Sequence, residues 1–280
     1  MNDNELRSFI INALAEDTGE GDHSSLASIP ASATGRARLL VKENGIISGL
    51  RAAREVFSVT DPTLAVALLM NDGTRVKYGD IALTVEGKVQ PILRAERLVL
   101  NIMQRMSGIA TATALYAEKV RDTGARITDT RKTTPGMRAL EKEAVRTGGG
   151  VNHRMGLYDM IMLKDNHVDY AGGISAAIIR TKEYLRIKGL DLKIEVEARN
   201  IREVREILET GGADRIMLDN FNIPDTREAV TLIAGKCETE SSGGITLDNV
   251  RDYALCGVDY ISIGALTHHI KSLDMSLKAY

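Results

Sequence analysis

The chain has little that would place it in a membrane or outside a reducing compartment. Its 280 residues include two cysteines, Cys237 and Cys256, whereas small disulfide-stabilised domains are rich in cysteine, and the spacing of the pair matches no zinc site. No apolar run approaches the roughly 18 residues that span a bilayer. The N-terminal sequence MNDNELRSFI lacks a basic segment followed by an apolar one, so we expect no signal peptide and a cytoplasmic protein.

The chain also lacks an excess of charge of either sign. Lys and Arg number 36 and Asp and Glu number 38, which gives a net charge of −2. Domains that bind nucleic acid are usually strongly basic, so we expect no nucleic-acid partner. What the chain does contain, 44% hydrophobic and 26% charged residues, is typical of a globular protein with a substantial core, divided into one large or two ordinary domains.

The first hundred residues predict an α+β domain. Leu6, Ile10 and Leu14 recur at helical spacing behind an Asn/Asp-rich start that can cap a helix. Short strand-like runs follow, with the helical stretch RAAREVF between the second and third: RARLLVK, IISGL, LAVALLM and DIALTVEGK. A helical pattern from Pro91 is interrupted at Ser107 and Gly108, which predicts a helix break and a domain boundary there.

Beyond Gly124, strands and helices alternate. The strand candidates are RITDT, MIMLK, KIEVE, RIMLD, CETES and YISIG, each followed by a helical pattern. This alternation is the signature of parallel βαβ units, in a barrel or an open doubly wound sheet. Residues of chemical interest follow every strand: Arg131 and Lys132, Lys164, Glu197, Asp219, Ser241 and Ser242, and Gly264. A barrel gathers all such strand ends at one face, so we favour a barrel, incomplete because it has six strands rather than eight.

One stretch, residues 129–167, is called the basic stretch here. Its predicted loops and strand ends contain five cationic or imidazole side chains: Arg131, Lys132, His153, Arg154 and Lys164. Cations at the ends of buried strands must either pair with carboxylates or bind an anion. Outside its helix, that stretch contains only three acids, Asp129, Asp159 and Asp165. We therefore predict an anion-binding site.

Acids and glycines are also expected at the strand ends that form the predicted site, which we call the strand-end ring. Glu195 and Glu197 face the same side of a strand, and Glu197 is nearer its end. Glu197 and Asp219 suggest contacts to hydroxyls or to Mg²⁺ on a sugar diphosphate, although simple pairing with Lys132 and Lys164 is an open alternative. Turns after the last two strands suggest a phosphate site built from backbone N–H groups, with these candidates: Ser242, Gly243, Gly244 and Gly264.

The helix within the basic stretch has its own predicted features. Thr134 is expected to cap it and Pro135 to begin it. Its charged residues, Glu141 to Glu143 and Arg146, are expected to form a solvated face. Two questions stay open: whether Arg138 contacts the ligand, and whether Gly148 to Gly150 bind an anion or only stop the helix.

Together these motifs resemble the quinolinate phosphoribosyltransferase family. They cover nearly the whole chain in the family's order: EDTGEGD, ERLVLNIMQRMSGIAT, DTRKTTPGMR, GGGVNHRMGLYDMIMLKDNH, IEVE, IMLDN, ESSGGI and YISIGALTH. The resemblance implies an N-terminal α+β, sandwich-like domain (1–107), an open six-stranded, incomplete TIM-like α/β barrel (108–264), and a C-terminal segment (265–280) that packs back on the first domain. It implies transfer of the phosphoribosyl group of phosphoribosyl pyrophosphate (PRPP) to quinolinate with decarboxylation, in NAD synthesis.

The resemblance also implies roles for individual residues. The carboxylates of quinolinate would be bound by Arg105, Arg131, His153, Arg154 and Lys164. PRPP would be bound by Lys132, Glu197, Asp219, Ser242, Gly243 and Gly264. Lys132, Lys164, Glu197 and Asp219 would be catalytic, with Mg²⁺ held by PRPP near Glu197 and Asp219 rather than by the protein alone. Arg105 would reach the partner's site in a homodimer.

Two alternatives stay open. A related phosphoribosyltransferase could act on another aromatic acid, such as nicotinate or the substrate of the molybdenum-locus relatives, but several paired cations favour a dicarboxylate. The chain could instead be a non-enzymatic binding module. The segment DGTRVKYGDIALTVEG faintly resembles a carrier domain, yet it lacks a lysine at the hairpin tip, and a carrier has no use for a ring of polar strand ends.

Overall fold

The computed structural model describes residues 1–280, which form two compact units. The first contains Met1–Ala114, Thr133–Gly149 and Leu266–Tyr280, and the second contains Leu115–Lys132 and Gly150–Ala265. The units differ from the division expected from sequence in two respects. The boundary falls at Ala114 rather than at residue 107, and Thr133–Gly149, expected in the barrel domain, belongs to the first unit.

Eleven helices and twelve strands make up the chain. The helices are α1 (Asp3–Thr18), α2 (His23–Ser28), α3 (Leu50–Thr60), α4 (Val89–Val120), α5 (Arg138–Thr147), α6 (Asp165–Ala171), α7 (Ile174–Lys188), α8 (Ile201–Thr210), α9 (Ile223–Ile233), α10 (Val250–Ala254) and α11 (Ala265–His268). The strands are β1 (Thr34–Val41), β2 (Gly45–Ile46), β3 (Ala65–Leu68), β4 (Arg75–Val76), β5 (Ile81–Lys88), β6 (Arg126–Thr128), β7 (Ile161–Leu163), β8 (Ile194–Ala198), β9 (Arg215–Asp219), β10 (Glu238–Ser242), β11 (Tyr260–Ser262) and β12 (Met275–Ala279).

An antiparallel sheet in the order β12-β1-β5-β3 forms the centre of the first unit. Leu39 of β1 lies opposite Leu83 and Leu277. Residues that lie opposite one another on paired strands face the same side of the sheet, and all three leucines are buried. Helix α1 begins at a capping box formed by Asn2 and Glu5, which satisfies N–H groups at the helix start. The predicted α+β character of this unit is confirmed.

Helix α4 runs unbroken for 32 residues through Ser107 and Gly108, so the predicted break was wrong. A Cβ on Gly108 would lie 2.3 Å from the carbonyl oxygen of Lys271. Ser107 is buried, and its hydroxyl accepts the N–H of Ser48 at 2.9 Å. The residues that suggest a helix break from sequence therefore serve close packing inside a continuous helix.

The second unit is a six-stranded parallel sheet in the order β6-β11-β10-β9-β8-β7. All six predicted strands are present, each followed by at least one helix, and β6 and β7 are its two edges. These features confirm the predicted open, incomplete barrel. Among the helices of the chain, none combines the length and apolar character that crossing a bilayer requires.

Candidate active site

The carboxyl ends of the parallel strands in the second unit bear the predicted ring of polar residues. Strand pairing places Asp219 beside Ser242 and Ser262 beside Thr128, so these ends lie along one edge of the sheet. In spatial order the residues at or just after the strand ends are Arg131 and Lys132 (β6), Gly264 (β11), Ser242 and Gly243 (β10), Asp219 (β9), Glu197 (β8) and Lys164 (β7). Cations thus occupy the two edge strands, glycine turns the two strands next to β6, and acids the two strands next to β7.

The two acids have different surroundings. Glu197 is buried, and its Oε2 lies 3.2 Å from Nζ of the half-exposed Lys164. Glu197 therefore pairs with Lys164, as one of the two alternatives in the sequence analysis proposed. The Asp219 carboxylate accepts a hydrogen bond of 2.7 Å from Nδ2 of Asn220.

Asn220 links the ends of β9 and β10. Its backbone has a φ of 56°, a left-handed conformation that Asn tolerates better than most residues. Its N–H donates to the carbonyl oxygen of Ser242 at 2.8 Å. A Cβ on Gly243 would lie 2.2 Å from Asn220 Oδ1. Sequence analysis missed this role, although an Asn directly after a strand-end Asp is a signal for a left-handed turn.

A buried aspartate anchors the Asn152-His153-Arg154 motif. Val151 forms a parallel bridge with Thr128 of β6. One oxygen of Asp129, which is fully buried, accepts the N–H of His153 at 2.9 Å, and the other accepts the side-chain amide of Asn152. These contacts place His153 and Arg154 beside the end of β6.

Arg154 is buried and close to a second cation. Its Nη1 donates to the carbonyl oxygen of Met160 at 3.1 Å. Burial and the charge of Arg131 lower the pKa of Arg154, while Glu195 and Asp159 oppose that shift. Two guanidinium groups that repel each other in a desolvated place are stabilised by a bound anion.

Comparison with known proteins decides the family. The sequence matches the N-terminal domain of quinolinate phosphoribosyl transferase over residues 22–107 and its C-terminal domain over residues 109–278. The chain belongs to the quinolinate phosphoribosyltransferase family. The two matched regions adjoin at residue 108.

Similar proteins of this family come from plants and bacteria. The chain is 46% identical to quinolinate phosphoribosyltransferase [decarboxylating] 1b of Nicotiana tabacum, over 98% of this chain and 82% of the relative. It is 41% identical to the probable nicotinate-nucleotide pyrophosphorylase [carboxylating] of Bacillus subtilis, over 99% of this chain and 94% of the relative. Its structure is similar to that of NadC from Streptococcus pyogenes, with a TM-score of 0.93, 37% identity, and coverage of 100% and 99% of the two chains.

Arg105, expected to act in a partner's site, lies in the first unit of this quinolinate phosphoribosyltransferase-family chain. Its Nε pairs with Oε1 of Glu141 at 2.6 Å, and its Nη2 donates to Thr134 Oγ1 at 2.7 Å and to the carbonyl oxygen of Thr267 at 2.8 Å. Glu141 is fully buried, and so is Lys142. The prediction that these two residues of α5 face solvent was therefore wrong. At Glu141 the reason is its ion pair with Arg105.

The two ends of α5 differ in part from the prediction. The helix begins at Arg138 rather than at Pro135, and Arg138 Nε donates to Thr133 Oγ1 at 3.0 Å. Gly148 ends the helix, and a Cβ on it would lie 2.3 Å from the carbonyl oxygen of Ala110. The helix-stop alternative is therefore favoured for this glycine.

Sequence analysis also missed that Glu195 and Glu240 contact His153 from other strands. His153 Nε2 lies 2.9 Å from Glu195 Oε2 and 3.5 Å from Glu240 Oε2. The expectation that too few acids could reach the cluster was wrong, because it counted only acids nearby in sequence. A detectable signal was present: Glu195, Arg215 and Glu240 are charged residues inside otherwise buried strands.

Proposed function

We propose that the protein transfers the phosphoribosyl group of PRPP to quinolinate, giving nicotinate mononucleotide, pyrophosphate and CO₂. The observation that supports this most is the order of residues along the sheet edge. Cations suited to a dicarboxylate lie at Arg131 and Lys164, acids at Glu197 and Asp219, and glycine turns at Gly243 and Gly264. The cations match the two carboxylates of quinolinate, the acids match the ribose and the Mg²⁺-bound pyrophosphate of PRPP, and the glycine turns match its 5′-phosphate.

Quinolinate binding is proposed for the cationic residues. Arg131 and Arg154 present planar guanidinium groups that match carboxylates in a bidentate way. His153 and Lys164 complete this set in the second unit, and Arg105 would join it from a partner. Of this set, His153 and Arg154 are buried, and buried cationic groups bind a dianion strongly because little water is available to screen them.

PRPP binding is proposed for Lys132, the two strand-end acids and the glycine turns. Gly243 has a φ of 91° and Gly244 a φ of 62°, and successive glycines of this kind expose backbone N–H groups to a phosphate. Carboxylate oxygens are ligands that Mg²⁺ prefers. Glu197 and Asp219 fit a Mg²⁺ ion bound by the pyrophosphate, which would offset its negative charge.

The chemistry requires positioning and charge stabilisation rather than a protein nucleophile. The pyridine nitrogen of quinolinate forms a bond to ribose C1 as the bond to pyrophosphate breaks, through an oxocarbenium-like transition state. Glu197 and Asp219 would stabilise positive charge on the ribose. The C2 carboxylate then leaves as CO₂, its electron pair stays on the ring carbon, and a proton replaces it, with Lys164 stabilising the negative charge.

Substrate choice tests this proposal. With PRPP present, we expect CO₂ and pyrophosphate to be released from quinolinate and no nucleotide to form from nicotinate. Formation of a nucleotide from nicotinate without CO₂ would favour the related monocarboxylate enzymes. Absence of turnover with either acid, in folded protein, would favour a binding module.

Gly243→Ala should raise the KM for PRPP about tenfold or more, because the new Cβ clashes with Asn220 and requires an unfavourable left-handed backbone. The matched control is Gly244→Ala, which also has a positive φ but no atom within 4 Å of the added Cβ. Steady-state kinetics with each substrate varied in turn provide the measurement. Equal effects of the two substitutions would show that the contact with Asn220 does not matter.

We propose a cytoplasmic homodimer in which Arg105 completes the partner's site. Anchoring of Arg105 by the buried Glu141 supports this, since a fixed guanidinium loses little entropy on binding a carboxylate. Mixing inactive Arg105→Ala and Lys164→Ala proteins under conditions of subunit exchange should restore about a quarter of the parent activity, because half of a random mixture is heterodimer with one intact site. No recovery after verified exchange would place both residues in the same subunit's site.

A further inference from the structure

A second layer of charged side chains lies one step below the strand-end ring, on the same face of the parallel sheet. Glu195 precedes Glu197 by two residues on β8, and Glu240 precedes Ser242 by two on β10, so each pair faces the same side. Arg215 lies beside Glu195 on one neighbouring strand and beside Glu238 on the other. The charged layer consists of four residues, none of which belongs to the substrate-binding set proposed above: Glu195, Arg215, Glu238 and Glu240.

The contacts in this layer centre on His153. Its Nε2 lies 2.9 Å from Glu195 Oε2, and Glu195 is fully buried. Glu240, also fully buried, lies between the imidazole, at 3.5 Å, and Nη1 of Arg215, at 2.8 Å. Arg215 in turn stacks on the ring of Tyr260, with 3.8 Å from its Cζ to the ring centroid.

This arrangement suits a proton rather than a metal ion. The His153, Glu195 and Glu240 ligand atoms are close enough to surround a cation, but the Arg215 guanidinium already pairs with Glu240 and would repel one. Burial and the Glu195 carboxylate raise the pKa of Glu240. Among Glu195, Glu240 and Arg215, with both carboxylates ionised and the guanidinium charged, one further proton brings the sum of charges to zero, which a desolvated site favours.

Hydrogen bonding from the other side fixes the imidazole. Its Nδ1 accepts the backbone N–H of Arg154 at 2.7 Å, so a neutral ring carries its proton on Nε2, the atom that lies 2.9 Å from Glu195 Oε2. Burial works against protonation of His153, but Glu195 and Glu240 outweigh it, so the pKa of His153 is raised. Protonating Nδ1 would break the bond from Arg154, so the two glutamates, which favour the imidazolium, and the Arg154 N–H, which favours the neutral ring, act in opposite directions on His153.

We propose that Glu195, supported by Glu240, is a positioning residue for quinolinate: it orients His153, and through the His153 ring it fixes the peptide and guanidinium of Arg154. This inference rests on the proposed function. The Glu195 charge also acts directly in favour of the buried Arg154 cation, against burial and Arg131. One buried carboxylate therefore supports two adjacent residues of the quinolinate-binding set.

A substitution that keeps the shape of Glu195 but removes its charge tests the proposal. Glu195→Gln should raise the KM for quinolinate about tenfold or more, since hydrogen bonds to charged groups have effects of this size. The KM for PRPP should stay within about twofold, because the phosphate-binding turns do not depend on His153. The matched control, Glu238→Gln, removes a glutamate that contacts Arg215 and Tyr260, and we expect it to leave both KM values within about twofold.

A double-mutant cycle separates positioning from a general structural effect. If Glu195 acts mainly through His153, Glu195→Gln should raise the quinolinate KM by a clearly smaller factor in a His153→Ala background than in the parent protein, and the remainder should reflect its direct effect on Arg154. Additive effects, an equal rise in both KM values, or an unchanged quinolinate KM would each overturn the proposal. If Glu195→Gln does not fold, Glu195→Asp, which keeps the charge at a shorter reach, enters the same cycle under the same criteria. Failure of the parent protein to turn over quinolinate would refute the proposed function instead.

Discussion

Replacing Lys164 with alanine should reduce kcat/KM for quinolinate and PRPP by about 10²–10³ while leaving the protein folded. Lys164 directly follows β7, and its side chain is about half exposed (47%), so its loss leaves no cavity in the core. The loss of activity is expected because a preorganised cation acts where negative charge develops. Arg131→Ala should behave in the same way, since Arg131 follows β6 at the opposite edge.

The measurement combines steady-state kinetics with the midpoint of thermal unfolding. Lys188→Ala is the matched control, because Lys188 is exposed in the last turn of α7, away from the strand ends. It should leave both activity and midpoint unchanged. If Lys164→Ala and Arg131→Ala unfolded the protein, these residues would be structural; if both retained full activity, the site would lie elsewhere.

Arg215→Met should lower the free energy of unfolding by about 3–5 kcal/mol, because it leaves the fully buried Glu240 without its guanidinium partner. For a chain of this size, that loss corresponds to a fall of roughly 10 °C in the unfolding midpoint. Thermal unfolding followed by circular dichroism provides the measurement.

The control for Arg215 is Arg186→Met, which breaks an exposed pair with Glu183 on α7. Exposed pairs contribute little because water and salt screen them, so the midpoint should barely move. Equal midpoints for the Arg215 and Arg186 variants would contradict the view that the charged layer is a desolvated part of the barrel.

Local patterns were sufficient to predict the architecture of the second unit. Alternating strands and helices depend on residues close in sequence, and all six strands, from Arg126–Thr128 to Tyr260–Ser262, were found where the pattern placed them. The ring of strand-end residues followed from the same reasoning, since parallel strands end on one side of a sheet.

Contacts between distant parts of the chain could not be predicted from the sequence. Gly108 suggests a helix break locally, but its role is a close approach to Lys271. Glu141 suggests a solvated face, but its partner is Arg105 on another helix. The pairing of Glu195 and Glu240 with His153 joins three separate segments. No local pattern contains such information, because it depends on which segments the fold brings together.

Carboxyl-labelled quinolinate tests the central claim most directly. Incubated with PRPP and Mg²⁺, quinolinate labelled in the carboxylate at C2 should release its label as CO₂ in equal amounts with pyrophosphate, while label in the carboxylate at C3 should remain in the nucleotide. Retention of both labels, or pyrophosphate release without CO₂, would contradict decarboxylating phosphoribosyl transfer by this protein.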